Sequence, residues 1–117
     1  MAIVERHTSP DGSIVLLVDS TDGDWAIGFE AFAWHTHGDI LDAWGYHGSP
    51  EARTRAFVDD ILQSRRVIAV VFTDGRVSDI TVPDDFVERP LMKSFSRYGA
   101  TNEVTEFRYW NGRPAAE

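Results

Sequence analysis

Short runs of alternating apolar residues in the first thirty positions are typical of β-strands. Residues 13–19 form a nearly continuous apolar run, and residues 24–30 alternate apolar side chains with small or polar ones. A further strand is predicted at 2–8. Turn-forming residues at 9–12 separate it from the run 13–19, and those at 21–24 separate the runs 13–19 and 24–30. The pattern therefore predicts three strands joined by tight turns in an antiparallel meander.

The period changes to that of a helix after Ser49. A serine at this position can cap a helix, Pro50 fits the first turn, and Glu51 favours the positive end of the helix dipole. Apolar residues then recur at spacings of three and four, and they are Phe57, Val58, Ile61 and Leu62. These signals predict one long helix over residues 50–64.

The second half of the chain returns to a strand pattern. Residues 67–72 are mostly β-branched, and the dipeptide Asp74-Gly75 predicts a two-residue hairpin that leads into a strand over 76–82. A last strand is predicted over 103–110.

The order of these elements places the chain in the α+β class. We expect a two-layer sandwich, in which an antiparallel sheet of five to six strands carries the helix 50–64 on one face. A helical turn is predicted over 90–95 and a loop over 94–102. One helix covers a sheet of this size only in part, so its other face needs loops, a partner protein or a second copy of the chain.

Length, charge and cysteine content exclude several classes of protein. The 117 residues have room for one domain, 1–117, and the absence of cysteine excludes disulfides and thiolate chemistry. Nineteen acidic residues against 11 basic ones give a net charge of −8, which argues against nucleic acid as a partner. The longest apolar run, 67–72, is too short to span a bilayer, and the N-terminal residues lack the layout of a signal peptide. We therefore expect a cytoplasmic protein that binds neither nucleic acid nor membranes.

The side chains that could form a site are concentrated in residues 25–49. This stretch contains three of the four histidines and three of the four tryptophans. Apolar rings with a few polar groups among them are the usual lining of a ligand pocket. A functional pocket is therefore predicted to be lined by Trp34, His35, His37, Trp44 and His47.

The same stretch contains a potential metal site. If the segment is extended, His35 and His37 point to the same side and can share a metal ion, to which Asp39 adds a carboxylate ligand. The predicted metal ligands are therefore His35, His37 and Asp39. A structural explanation is also open, in which Asp39 caps a short helical turn and the two imidazoles bond to backbone carbonyls.

Two classes of function follow from these observations. The first is a protein-interaction module, because interfaces are enriched in tryptophan, tyrosine, phenylalanine and arginine, and this acidic chain has many of each. A toxin-neutralising immunity protein is one module of this size and charge. We also expect the chain to associate with itself, most simply as a homodimer, because symmetric pairs are the commonest soluble oligomers. The second is a small metal-dependent enzyme or ligand-binding protein that uses His35, His37 and Asp39. Motifs for a serine nucleophile, a phosphate loop or a dinucleotide are absent, so no catalytic residue and no cofactor are assigned.

Overall fold

The structure, a computed structural model, describes residues 3–83 and 103–114 and contains two antiparallel sheets. The first sheet has four strands in the order β1-β2-β3-β4. Its strands are β1 (Ile3–Thr8), β2 (Val15–Thr21), β3 (Asp24–Phe29) and β4 (His35–His37). The second sheet has three strands in the order β6-β5-β7. They are β5 (Ile68–Thr73), β6 (Arg76–Thr81) and β7 (Glu103–Arg108).

The predicted α+β class with antiparallel strands is confirmed, but the predicted two-layer sandwich, in which one sheet of five to six strands carries the helix on one face, is wrong. In the described part of the chain, β5 is the central strand of a separate sheet. Both of its edges are paired, one with β6 and the other with β7, so it has no free edge to pair with the first sheet. The edge strand of the first sheet on this side is β4, which is only three residues long. Gly38 then begins a 3₁₀ helix, and the described residues contain no further strand at that edge that could join the two sheets.

The two predicted hairpin turns are confirmed, and the reason is local. Asp22 and Gly23 have φ angles of 52° and 83°, and Asp74 and Gly75 have φ angles of 52° and 78°. A two-residue hairpin turn of this type requires positive φ at both central positions, which glycine and aspartate tolerate better than most residues. The β2–β3 and β5–β6 hairpins are therefore determined by their own turn sequences.

The long helix α1 spans Pro50–Leu62 and begins where the sequence predicts. The hydroxyl of Ser49 accepts a hydrogen bond from the backbone nitrogen of Ala52 at 3.1 Å, which caps the first turn. The helix ends two residues earlier than the predicted 64, because Ser64 adopts a left-handed conformation with φ 59°. None of the helices in the described ranges is both long enough and apolar enough to cross a membrane.

One hydrophobic core joins both sheets to the helix. The first sheet contributes Leu16, Val18, Ile27 and Phe29, α1 contributes Phe57, Val58 and Ile61, and the second sheet contributes Ile68, Val70 and Ile80. We call the face of the first sheet that supplies these residues its inner face. The alternate residues of the strands point the other way and form the outer face, which includes Arg6, Leu17, Asp19, Asp24, Ala26, Gly28, His35 and His37.

The short helical turn after β4 is present, but Asp39 is not its cap. A 3₁₀ helix spans Gly38–Trp44, and the residue before it is His37, whose side chain makes no capping hydrogen bond. The helical turn begins two residues earlier than expected, where Gly38 lies tightly against α1: a Cβ at this position would be 2.6 Å from the carbonyl oxygen of Pro50. The carboxylate of Asp39 is therefore not used as a cap.

The helical turn predicted over 90–95 and the loop predicted over 94–102 lie outside the described residues.

Candidate functional site

Pairing of β4 with β3 places two histidines on the outer face of the first sheet. His35 lies opposite Gly28 and His37 lies opposite Ala26, in an antiparallel register. Thr36, between them, points inward and is 2% exposed. Since successive side chains of a strand alternate between faces, the two imidazoles share the outer face. Their ring centroids are 5.0 Å apart and the rings meet edge-on at 79°.

A cleft of about 510 Å³ lies along this outer face. Strands β2, β3 and β4 supply its floor, and the segment between β3 and β4 supplies an aromatic wall. The residues that line it include Leu17, Asp19, Asp24, Ala26, Gly28, Phe32, Trp34, His35 and His37. The volume falls within the range of roughly 300–1,000 Å³ that is usual for ligand pockets.

Trp34 is one of the two rings, with Phe32, that form the aromatic wall. Its ring centroid is 5.9 Å from that of the buried Phe29, with the two planes tilted by 31°. Trp34 and Phe32 are both partly buried, so each ring packs against the core and still borders the cleft. Gly28 permits the approach of this wall, because a Cβ there would be 3.0 Å from the carbonyl oxygen of Trp34.

At one end of the cleft, two carboxylates and an imidazole lie close together. Nδ1 of His37 is 3.2 Å from Oδ1 of Asp24, whose side chain is more than half exposed. One potential ligand atom from each of Asp24, His37 and Asp39 lies within 4.8 Å of the others. Two of the three predicted metal ligands are therefore neighbours, and Asp24 joins them from the start of β3.

His35 lies beside this group and has a defined orientation. Its Nδ1 is 3.1 Å from the carbonyl oxygen of Ala33, an acceptor to which only a protonated nitrogen can donate. This hydrogen bond assigns a proton to Nδ1 and leaves Nε2 without a partner in the described part of the chain. The exposed ring of His35 therefore presents Nε2 on the outer face.

Trp44 and His47, which the sequence predicts in the same pocket, lie elsewhere. Trp44 packs edge-on against Phe57 of α1, with ring centroids 5.4 Å apart, and the guanidinium of Arg66 lies 4.9 Å from its ring centroid. His47 is exposed in the segment that leads to α1. Neither residue is among those that line the cleft. The structure thus brings Trp34, His35 and His37 together and separates them from the other two.

The lining of the cleft contains carboxylates. Asp19 and Asp24 line it, whereas no arginine or lysine of the described ranges does so. Arg6 lies opposite Leu17 in the β1–β2 register and is paired with Glu30. The cleft therefore combines apolar walls with an acidic end.

Sequence reasoning did not include Asp24, Phe32 and Leu17 in the predicted site. Leu17 and Asp19 are the outward-facing residues of β2, and the alternation of that strand already contained the information that they share a face. Asp24 joins the site because β4 pairs with β3. The sequence alone did not show that the chain folds back after the five residues 30–34 to form this pair.

No protein-family model, curated protein or solved structure matches this chain.

Proposed function

We propose that the protein is a protein-binding module and that its partner occupies the cleft on the outer face of the first sheet. The partner inserts an aromatic or long apolar side chain between Trp34 and the sheet, and carries lysine or arginine beside it. The observation that supports this most strongly is the cleft itself, with aromatic walls on a sheet face that is opposite the core.

The composition of the wall supports an anchoring side chain. Tryptophan and other aromatic residues dominate the binding energy of protein interfaces when a partner group packs against them away from water. Trp34 is held by Phe29 on one side and borders open space on the other, so its ring needs little reorganisation to receive a partner. Ala26 and Gly28 keep the floor low enough for a large side chain to enter.

The charge distribution supports a basic partner. The chain carries a net charge of −8, and Asp19 and Asp24 lie at the cleft without a lining cation among the described residues. Complementary charge speeds association and disfavours acidic partners. A second copy of this chain has the same net charge, so a heterologous basic partner fits the face better than a homodimer does.

A peptide selection tests this proposal and does not require the natural partner. A random peptide library displayed on phage is selected against the purified protein, and the enriched peptides are synthesised and titrated by fluorescence anisotropy. We expect the enriched sequences to share an aromatic residue with a lysine or arginine close by. Their affinity is expected to fall as the salt concentration rises.

Two variants and one matched control locate the binding. Trp34→Ala removes the wall and Ala26→Leu fills the floor, so each is expected to weaken the peptides at least about tenfold, which corresponds to about 1.4 kcal/mol. Trp25→Ala is the control, because Trp25 is also partly buried but belongs to the inner face, with Arg55 over its ring. Peptides that bind all four proteins equally would contradict the proposal. A wild-type mass of two chains by light scattering that becomes one chain in Trp34→Ala would assign the face to self-association instead.

A further inference from the structure

We propose that the acidic end of the cleft is a zinc site whose ligands are Asp24, His37, Asp39 and His35. This inference does not rest on the proposed binding function, because the four side chains and their geometry are independent of any partner. Three of the four are already grouped: one potential ligand atom from each of Asp24, His37 and Asp39 lies within 4.8 Å of the other two. A single ion could therefore contact all three after small side-chain rotations.

The fourth ligand comes from the neighbouring imidazole. The ring centroids of His35 and His37 are 5.0 Å apart. This is roughly the separation expected for two imidazoles on one tetrahedral ion, since each nitrogen lies about 2.0–2.1 Å from the metal. The hydrogen bond from Nδ1 of His35 to the carbonyl of Ala33 leaves Nε2 free to coordinate. A bond of this kind is the usual way in which proteins orient a metal-binding histidine.

The backbone holds these side chains in place before any ion binds. Both histidines belong to β4, which is hydrogen-bonded to β3, and Asp24 is the first residue of β3. Asp39 is kept close to them by Gly38, whose Cα lies so near α1 that a Cβ would clash with Pro50 and Thr54. The cluster therefore spans two strands and the start of the 3₁₀ helix, and its backbone needs no rearrangement.

The donor set determines which ion fits. Two imidazole nitrogens and two carboxylate oxygens form a four-ligand tetrahedral set that suits Zn²⁺, whereas Mg²⁺ and Ca²⁺ prefer oxygen ligands in larger number. The charges agree, because two aspartates balance a divalent cation. Asp39 has no arginine or lysine partner among the described residues, and the hydrogen-bond partner of Asp24 is His37. No resident cation therefore competes for these carboxylates in the described part of the chain.

Zinc titration of the untagged protein by isothermal calorimetry tests this inference. We expect one Zn²⁺ per chain with a dissociation constant below about 10 μM. His37→Ala is expected to weaken binding by at least about a hundredfold, because loss of a group that merely orients a ligand already costs about 10–100-fold. His35→Ala and Asp24→Asn are expected to weaken it at least about tenfold. Replacement of Zn²⁺ by Co²⁺ is expected to give the visible absorption of a four-coordinate ion.

Matched controls separate this site from general binding of metal to exposed side chains. His47→Ala and Asp42→Asn remove the same types of group from exposed positions outside the cluster, and both are expected to bind Zn²⁺ like the wild type. His37→Gln replaces His37→Ala if the latter changes the far-ultraviolet circular dichroism. Absence of binding at about 100 μM Zn²⁺, or equal losses in His47→Ala and His37→Ala, would overturn the inference. Failure of the peptide selection leaves this result unaffected, so the two proposals fail separately.

Discussion

Nδ1 of His37 lies 3.2 Å from Oδ1 of Asp24, although 13 positions separate the two residues in the chain. The contact exists because β4 folds back on β3 and places His37 opposite Ala26, two residues after Asp24. It ties the start of one strand to the end of the next at the acidic end of the cleft. The short β3–β4 hairpin is therefore the element that assembles the candidate site.

This pair is exposed, so it should matter little for stability. The side chains of His37 and Asp24 are 36% and 60% exposed. A contact between exposed side chains contributes at most about 1 kcal/mol, whether it is a hydrogen bond or an ion pair. We therefore expect Asp24→Asn to change the free energy of unfolding in urea by less than about 1 kcal/mol in the absence of metal. A larger loss would give Asp24 a structural role and would weaken its assignment as a ligand.

Gly38 should tolerate no side chain, since it determines where the 3₁₀ helix begins. A Cβ in Gly38→Ala would lie 2.6 Å from both the carbonyl oxygen of Pro50 and Oγ1 of Thr54. We expect a loss of about 1–3 kcal/mol in the free energy of unfolding, as is usual for overpacking. The neighbouring Ile40, which is 50% exposed, supplies the control, and Ile40→Ala should stay within about 0.5 kcal/mol of the wild type. Equal stabilities of Gly38→Ala and the wild type would contradict the packing described for this turn.

Phe57 is the centre of the contact between α1 and the aromatic residues around it. Its side chain is fully buried, and the rings of Trp44 and Tyr46 meet it edge-on at 5.4 and 5.6 Å. Phe57→Ala is expected to lower the free energy of unfolding by about 3–5 kcal/mol, because it removes a buried ring and leaves a cavity. The exposed Val77→Ala should lose less than about 1 kcal/mol. A loss below about 1 kcal/mol in Phe57→Ala would show that the helix does not pack as described.

Asp11 should make stability depend on pH in acid. Hydrogen bonds from the Ser13 hydroxyl and backbone nitrogen, and from the Ser9 hydroxyl, lower the pKa of the Asp11 carboxyl from 3.8 to about 2. A pKa that is lower in the folded state adds stability above pH 3.8, and this stability is lost as the pH falls through about 2. The wild type should therefore exceed Asp11→Asn in urea-unfolding stability above pH 3.8, with the difference shrinking toward pH 2. A difference that stays constant across this range would contradict the turn geometry.

Much of the fold could be predicted because its signals are local. The glycines at the second central position of the β2–β3 and β5–β6 turns, the Ser49 cap and the apolar spacing of α1 all act within a few residues. Strand pairing across the chain is different. β5 pairs with β7, whose first residue lies 30 positions after the end of β5, and nothing in the local pattern selects that partner over the first sheet.

The candidate site was predicted in part for the same reason. Alternation along a strand was enough to place His35 and His37 on one side, and that side is the outer face. Sequence proximity suggested Trp44 as a further wall, but the 3₁₀ helix carries it to Phe57. Asp24 belongs to the site only because of the register between β3 and β4. With three residues, β4 is too short for its sequence pattern to predict that pairing.

The central claim is that the outer face of the first sheet is the binding surface, and amide chemical shifts test it most directly. The ¹⁵N-labelled protein is titrated with a peptide enriched in the phage selection, and the shift of each amide is followed to saturation. We predict that the largest shifts occur at Leu17, Ala26, Gly28 and His35, with the amides of Pro50–Leu62 nearly unchanged. Largest shifts on α1 or on the second sheet, with the outer face unaffected, would contradict the claim.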